Sequence, residues 1–130
     1  MSAWFVRGSL CHLVGGFTLG ALLLTGKGIP LGSGLWALGA LRGAHIEMLL
    51  VGWMIQLVMG VAVWIFPRFA VRRAPQRSAT TAWLAFALLN AGVVLVTLGG
   101  ILVAAGRLVE IGAAASFAAH LWGRVSPAGL

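Results

Sequence analysis

The sequence contains no tyrosine and one cysteine, and only 8% of its 130 residues are charged. A single cysteine, Cys11, excludes an intrachain disulfide and any metal or iron–sulfur site that needs several cysteine ligands. Soluble domains carry about 25% charged residues, so the scarcity of charge excludes an ordinary soluble domain.

Apolar residues make up 61% of the chain and gather in four long runs. A helix rises about 1.5 Å per residue and the hydrocarbon core of a bilayer is about 30 Å thick, so runs of roughly 20 apolar residues predict membrane-spanning helices. The sequence predicts an all-α integral membrane protein, with residues 1–130 as one domain and spans at about 4–24, 43–66, 80–104 and 108–122. A glycine-rich and proline-containing connector is predicted at 25–43, a stop at Pro67, and a tight link at 105–107.

The nine basic residues and the net charge of +7 could indicate nucleic-acid binding. They lie at the ends of the apolar runs, however, which is typical of membrane topology, so nucleic acid is not an expected partner. With both termini inside, six basic residues are cytoplasmic (Arg7, Arg68, Arg72, Arg73, Arg77, Arg124) and three are outside (Lys27, Arg42, Arg107). The positive-inside rule therefore predicts cytoplasmic termini in a multi-pass membrane protein.

The second span, within residues 44–68, contains the strongest candidate site. Ionisable groups inside a membrane helix are costly and usually functional, and this span begins with His45 and Glu47. At helical spacing, one broad face carries small or polar side chains: His45, Gly52, Gln56, Gly60 and Val63. A flat, bulky ligand would explain the missing side-chain volume on this face, and so would close packing against another helix.

Two further histidines lie on faces of small residues. His12 shares a four-residue repeat with Gly8, Gly16 and Gly20, and His120 ends a similar repeat in the fourth span. Such faces allow helices to approach closely, and a histidine there can serve as an interhelical hydrogen-bonding partner. His12 and His120 are also the alternative pair of metal ligands to His45. The topology puts His12 and His120 towards the cytoplasmic side and His45 near the outer surface, so His45 is not expected to share a ligand with either within one protomer.

Residues 44–68 resemble the second transmembrane helix of the catalytic subunit of haem–copper oxidases and nitric oxide reductases, notably in Ala44-His45, Gly52-Trp53, Met59-Gly60 and Trp64-Ile65-Phe66-Pro67-Arg68. The resemblance is particularly to short, standalone bacterial membrane proteins similar to that subunit, and it implies a location in the bacterial inner membrane. It implies that His45 is an axial ligand of a haem b. The family's catalytic subunit has twelve helices in three similar arcs of four, so this chain corresponds to one arc, and a homotrimer would rebuild the ring with three copies of His45.

The departures from the family are large. Its copper site needs several histidines and its oxidases generally add a tyrosine, whereas this chain has three histidines and no tyrosine. One protomer is therefore not expected to reduce oxygen by itself. The resemblance implies electron transfer or an accessory role beside a respiratory redox partner.

Other residues have predicted roles that remain open at this point. Nitric oxide reductases use a glutamate near their non-haem iron, so the resemblance implies Glu47 as a ligand of a non-haem metal. Side chains two residues apart on a helix point about 200° apart, so His45 and Glu47 can both be ligands only if they face different sites. Arg42 and Arg107 are expected either to bind haem propionates or to pair with Glu47 and Glu110. Besides the haem protein, two alternatives remain: a cofactor-free structural or assembly subunit, and a non-haem metal site for copper, iron or zinc at His45 and Glu47.

Overall fold

A computed structural model describes residues 1–28, 35–69 and 77–122, and within them the side chains of residues 1–26, 39–65 and 80–122. The regular elements are helical throughout this part of the chain. They are α1 (Ser2–Gly28), α2 (Leu35–Glu47), a π-helical segment (Met48–Ile55), α3 (Gln56–Phe69), α4 (Arg77–Leu98) and α5 (Leu102–Trp122).

Four helices are long and apolar enough to cross a membrane: Ser2–Gly26, Gly39–Ile65, Thr80–Leu98 and Leu102–Trp122. The second consists of α2, the π segment and α3 in unbroken succession. The predicted fold class, an all-α protein with four membrane-spanning helices, is confirmed. The predicted cytoplasmic location of the termini stays a prediction, and the basic side chains of the loop and tail on which it depends (Arg68, Arg72, Arg73, Arg77, Arg124) lie outside the described residues, as does that of Lys27.

The helix boundaries differ from the predicted ones. The predicted connector at 25–43 is too long, because α1 continues to Gly28 and α2 already begins at Leu35. Glycines within these stretches are tolerated because helical backbone is open to glycine at modest cost. Proline does not end the second span at once either, since α3 extends two residues beyond Pro67; a proline near the end of a helix sacrifices few backbone hydrogen bonds.

The turn between the third and fourth spans lies at Gly99 and Gly100, not at the predicted 105–107. Both glycines have positive φ (78° and 61°), a conformation that other residues rarely adopt. Gly106 is instead a packing residue inside α5: a Cβ there would lie 2.6 Å from Val96 Cγ2 on α4. The fourth span is consequently 21 residues long and Arg107 belongs to its first half.

The four spans alternate in direction, so Met1, Trp64, Thr80 and Trp122 share one end of the bundle, named here the terminal side. The opposite end, with Gly99 and Gly100, is the turn side. α1 packs against the second span and α4 against α5. The two hairpins meet in an apolar core around Phe5, which is 1% exposed and contacts Phe86 and Phe117 with ring-centroid distances of 5.1 and 6.2 Å.

Exposed tryptophans mark the terminal side. Trp4, Trp64, Trp83 and Trp122 come from all four spans, and each is at least 43% exposed on the protomer. Tryptophan is enriched at the boundary between hydrocarbon and water. The four rings therefore indicate where that boundary crosses the terminal side of the bundle.

Candidate functional site

A cleft on the turn side contains His45. It lies between α1 and α2, has a volume of about 830 Å³, and is lined by Phe17, Gly20, Ala21, Leu23, Leu24, Gly39, Arg42 and His45. Its walls are apolar, and its polar side chains are His45 and Arg42. We call it the His45 cleft. Cofactor sites are typically apolar cavities of about 300–1,000 Å³ with a few placed polar groups, so its size and chemistry suit a cofactor.

A backbone carbonyl orients the His45 ring. Nδ1 lies 2.7 Å from the carbonyl oxygen of Gly16 on α1. A carbonyl can only accept a hydrogen bond, so Nδ1 carries a proton, and in the neutral ring Nε2 then presents a lone pair. Among the described residues, the hydrogen bond of the His45 ring is the one made by Nδ1. The imidazole is therefore in the tautomer that a metal-ligating Nε2 requires.

Gly20 allows this arrangement. A Cβ at that position would lie 2.7 Å from His45 Cε1, which is closer than side-chain atoms tolerate. On the other wall, a Cβ at Gly39 would meet nothing within 4 Å, so the space beside α2 is open there. Glycine on α1 thus admits the imidazole while the rest of the cleft stays unfilled by the described side chains.

The predicted small face of the second span packs against α1. A Cβ at Gly52 would lie 2.6 Å from His12 Cγ, and one at Gly60 would lie 2.8 Å from Phe5 Cβ. Gln56 is fully buried and its amide lies against Gly8. These three residues do not line the His45 cleft, and α1 packs closely against Gly52 and Gly60.

The structure separates the three histidines. His12 lies against Gly52, one and two turns along α1 from the Gly16 and Gly20 that receive His45. His120 is buried between α5 and α4, with its Nδ1 3.2 Å from Thr81 Oγ1 and its ring stacked on Phe117. Neither lines the His45 cleft.

Arg107 forms an ion cluster with the two glutamates of the sequence. Its guanidinium binds Glu47 bidentately, with distances of 3.1 Å to Oε1 and 2.6 Å to Oε2, and it lies 2.7 Å from Glu110 Oε2. Glu47 is 3% and Glu110 11% exposed, whereas Arg107 is 49% exposed. Such planar two-point contacts are among the strongest ion pairs, and this one joins α2 to α5 near the turn side.

His45 and Glu47 therefore face different helices, as expected for residues about 200° apart. Both oxygens of Glu47 are engaged by Arg107. Within the described ranges, no three His, Cys, Asp or Glu side chains gather closely enough to hold a metal ion. Of the residues predicted to bind a cofactor, the structure brings together His45 and Arg42 in one cleft, and puts Arg107 in the ion cluster.

Two elements of the site have no signal in the sequence pattern. The Gly16 carbonyl that orients His45 is a backbone group, which any residue could have supplied. The second is the π segment, in which the Gln56 N–H reaches the carbonyl of Val51 five residues back. π-Helical turns are rare in proteins, and those that occur are often found at functional sites. This one separates Glu47 from Gln56 within an otherwise continuous apolar helix.

The fold and the cleft define a multi-pass, all-helical membrane protein with a histidine-lined apolar cleft. No protein-family profile, curated protein or solved structure was found to match this chain.

Proposed function

We propose that this chain is a haem-b-binding membrane protein in which His45 supplies one axial ligand. The observation that carries the proposal is the oriented His45 imidazole in an apolar cleft. Metal-ligating histidines commonly donate their second ring N–H to a backbone carbonyl, which fixes the tautomer and raises the basicity of the ligating nitrogen. The contact of Nδ1 with the Gly16 carbonyl has this form.

The other residues that line the His45 cleft are also suited to binding haem. Phe17, Leu23 and Leu24 offer apolar contact to a macrocycle, and Gly39 leaves space beside the ring of His45. Arg42 is exposed at the edge of the cleft and can bind a propionate by charge-assisted hydrogen bonds. When bound, haem would supply one-electron redox chemistry, which the protein tunes through ligand identity and burial. The resemblance of residues 44–68 to the haem-binding helix of oxidases supports the same assignment.

The second axial ligand is proposed to come from another copy. Among the described residues, His45 is the one histidine of the cleft, and His12 and His120 lie elsewhere in the protomer. A symmetric oligomer would offer a second His45 at the same depth. The four-helix arc of the resembling family makes a trimer the proposed assembly, with electron transfer or a respiratory accessory role as the proposed activity.

The test is haem content of matched variants. Purified wild-type protein is expected to show a Soret band and sharp reduced α bands, and His45→Ala to lose most of the haem while inserting normally. His12→Ala and His120→Ala are the controls, because each removes an imidazole that lies outside the cleft. Haem that persists without His45 and disappears without His12 and His120 would overturn the assignment.

A cofactor-free structural or assembly subunit is the second candidate. It is favoured by the packing of α1 into the small face at Gly52 and Gly60, which needs no ligand to fill it. In that case His45 serves as a polar contact between α1 and α2, a contribution of about 1 kcal/mol. Protein purified with haem supplied during expression, and found colourless and metal-free, would select this candidate.

A further inference from the structure

A second groove lies at the opposite end of the bundle from the His45 cleft. It runs between α1 and α3 on the terminal side and has a volume of about 440 Å³. Its lining includes Ala3, Val6, Arg7, Gly60, Val61 and Trp64. We call it the terminal groove. Its floor is apolar because Gly60 has no side chain and packs against Phe5, and Arg7 and Trp64 are exposed beside it.

Arg7 has no carboxylate partner within the chain's side chains. The sequence contains two acidic residues, and both of them, Glu47 and Glu110, are bound to Arg107 near the turn side. The contact recorded for the Arg7 guanidinium is with the ring of Trp4, at 5.6 Å from its centroid. A cation on the lipid-facing surface of a membrane helix is costly unless it reaches an anion or water. The counter-anion of Arg7 is therefore a group other than the carboxylates of Glu47 and Glu110.

The depth of Arg7 suits the headgroup region. It is the sixth residue of α1, about 7.5 Å along the axis from its first residue. Long basic side chains at such positions extend towards the membrane surface. Trp64 lines the groove and the Trp4 ring contacts Arg7, and both rings mark the boundary between hydrocarbon and water at this end.

We propose that the terminal groove binds an anionic phospholipid. Its phosphate pairs with Arg7, and an acyl chain lies along Val6, Val61 and the surface of Gly60. Charge complementarity selects this occupant, because both acidic side chains of the chain pair with Arg107 and leave the Arg7 guanidinium, at the rim of an apolar groove, without a carboxylate side chain as partner. Four further arginines occupy positions 68, 72, 73 and 77 of the sequence, from the end of α3 to the start of α4, and would add attraction for the same leaflet. This site is independent of the proposed haem site.

Native mass spectrometry with added phosphatidylglycerol or phosphatidylcholine of identical acyl chains tests the proposal. Wild-type protein is expected to bind phosphatidylglycerol about fivefold more tightly than phosphatidylcholine. This is the difference in affinity that one basic residue near an anionic membrane surface contributes. Arg7→Gln should abolish that preference, and Val61→Phe, which fills the groove, should weaken binding of both lipids. Circular dichroism and haem content should not change, since both side chains are exposed and distant from His45.

Two matched controls keep the test specific. Val14→Phe adds the same ring to an exposed position of α1 outside the groove, and Arg42→Gln removes an exposed charge at the opposite end. Both should leave the lipid preference intact. The proposal is overturned by equal binding of the two lipids, by a preference that survives Arg7→Gln, or by equal losses in Arg7→Gln and Arg42→Gln. It is also overturned if Val61→Phe changes the oligomeric state and not lipid binding, since the groove would then hold a second copy.

Discussion

Arg107→Gln removes the cation that Glu47 and Glu110 share, and we expect it to be far more damaging than Glu47→Gln. The two carboxylates are 3% and 11% exposed. Without the guanidinium, two negative charges remain close together in an apolar setting. Removing one partner of a buried ion pair costs about 3–5 kcal/mol, and this variant leaves two unpaired groups.

Glu47→Gln leaves no unpaired buried carboxylate, because Arg107 still pairs with Glu110. Arg107 is 49% exposed and keeps its contact with Glu110. It is the sixth residue of α5, only about 7.5 Å along the axis from the start of the helix, so its guanidinium can also reach headgroups. A hydrogen bond to a charged group contributes about 1.5–3 kcal/mol, and the glutamine retains part of it. We therefore expect Glu47→Gln to lower the free energy of unfolding by about 1–2 kcal/mol. The loss is small because Arg107 is half exposed and water screens its charge.

The assay is unfolding in mixed micelles of mild detergent and dodecyl sulfate, followed by tryptophan fluorescence, for the two single variants and the double variant. The double variant should lose less than the sum of the single losses, because Glu47→Gln removes one of the stranded charges. Equal losses for both single variants, or strict additivity, would refute the reasoning that an unpaired buried carboxylate dominates the cost.

Three further predictions concern packing, chemistry and assembly. Gly52→Ala should lower stability by at least about 1 kcal/mol, because its Cβ would lie 2.6 Å from His12 Cγ; Gly43→Ala, which meets nothing within 4 Å, is the control, and equal effects in the same unfolding assay would contradict the α1 interface. Purified protein should show no substantial oxygen reduction coupled to cytochrome oxidation, since the chain has no tyrosine and three histidines; sustained cyanide-sensitive oxygen uptake in an electrode would count against this. Native mass spectrometry in mild detergent should show a trimer that loses haem when it dissociates: a haem-loaded monomer would defeat the shared-ligand proposal, and a dimer would retain it but exclude the ring.

The membrane fold could be predicted from composition because spanning a bilayer demands long apolar helices, and the sequence has four such runs. The small faces could also be recognised, since Gly8, His12, Gly16 and Gly20 repeat at helical spacing. Periodicity, however, identifies a face without identifying what covers it. Whether a ligand or another helix filled the space beside Gly52 and Gly60 depended on the approach of α1, which is a tertiary contact.

The candidate site also has features that the sequence predicts and features that depend on tertiary contacts. The sequence by itself determined that His45 is an ionisable group inside a membrane helix, and that Glu47 points away from it. Only the tertiary structure decided that His45 meets the Gly16 carbonyl in an apolar cleft and that Glu47 binds Arg107 on α5. Arg107 was predicted to lie in a surface link at 105–107. Because the turn lies at Gly99 and Gly100 instead, Arg107 belongs to α5, where it faces Glu47. The physical reason is that local pattern fixes the burial and direction of side chains along one helix, whereas their partners depend on how separate helices pack.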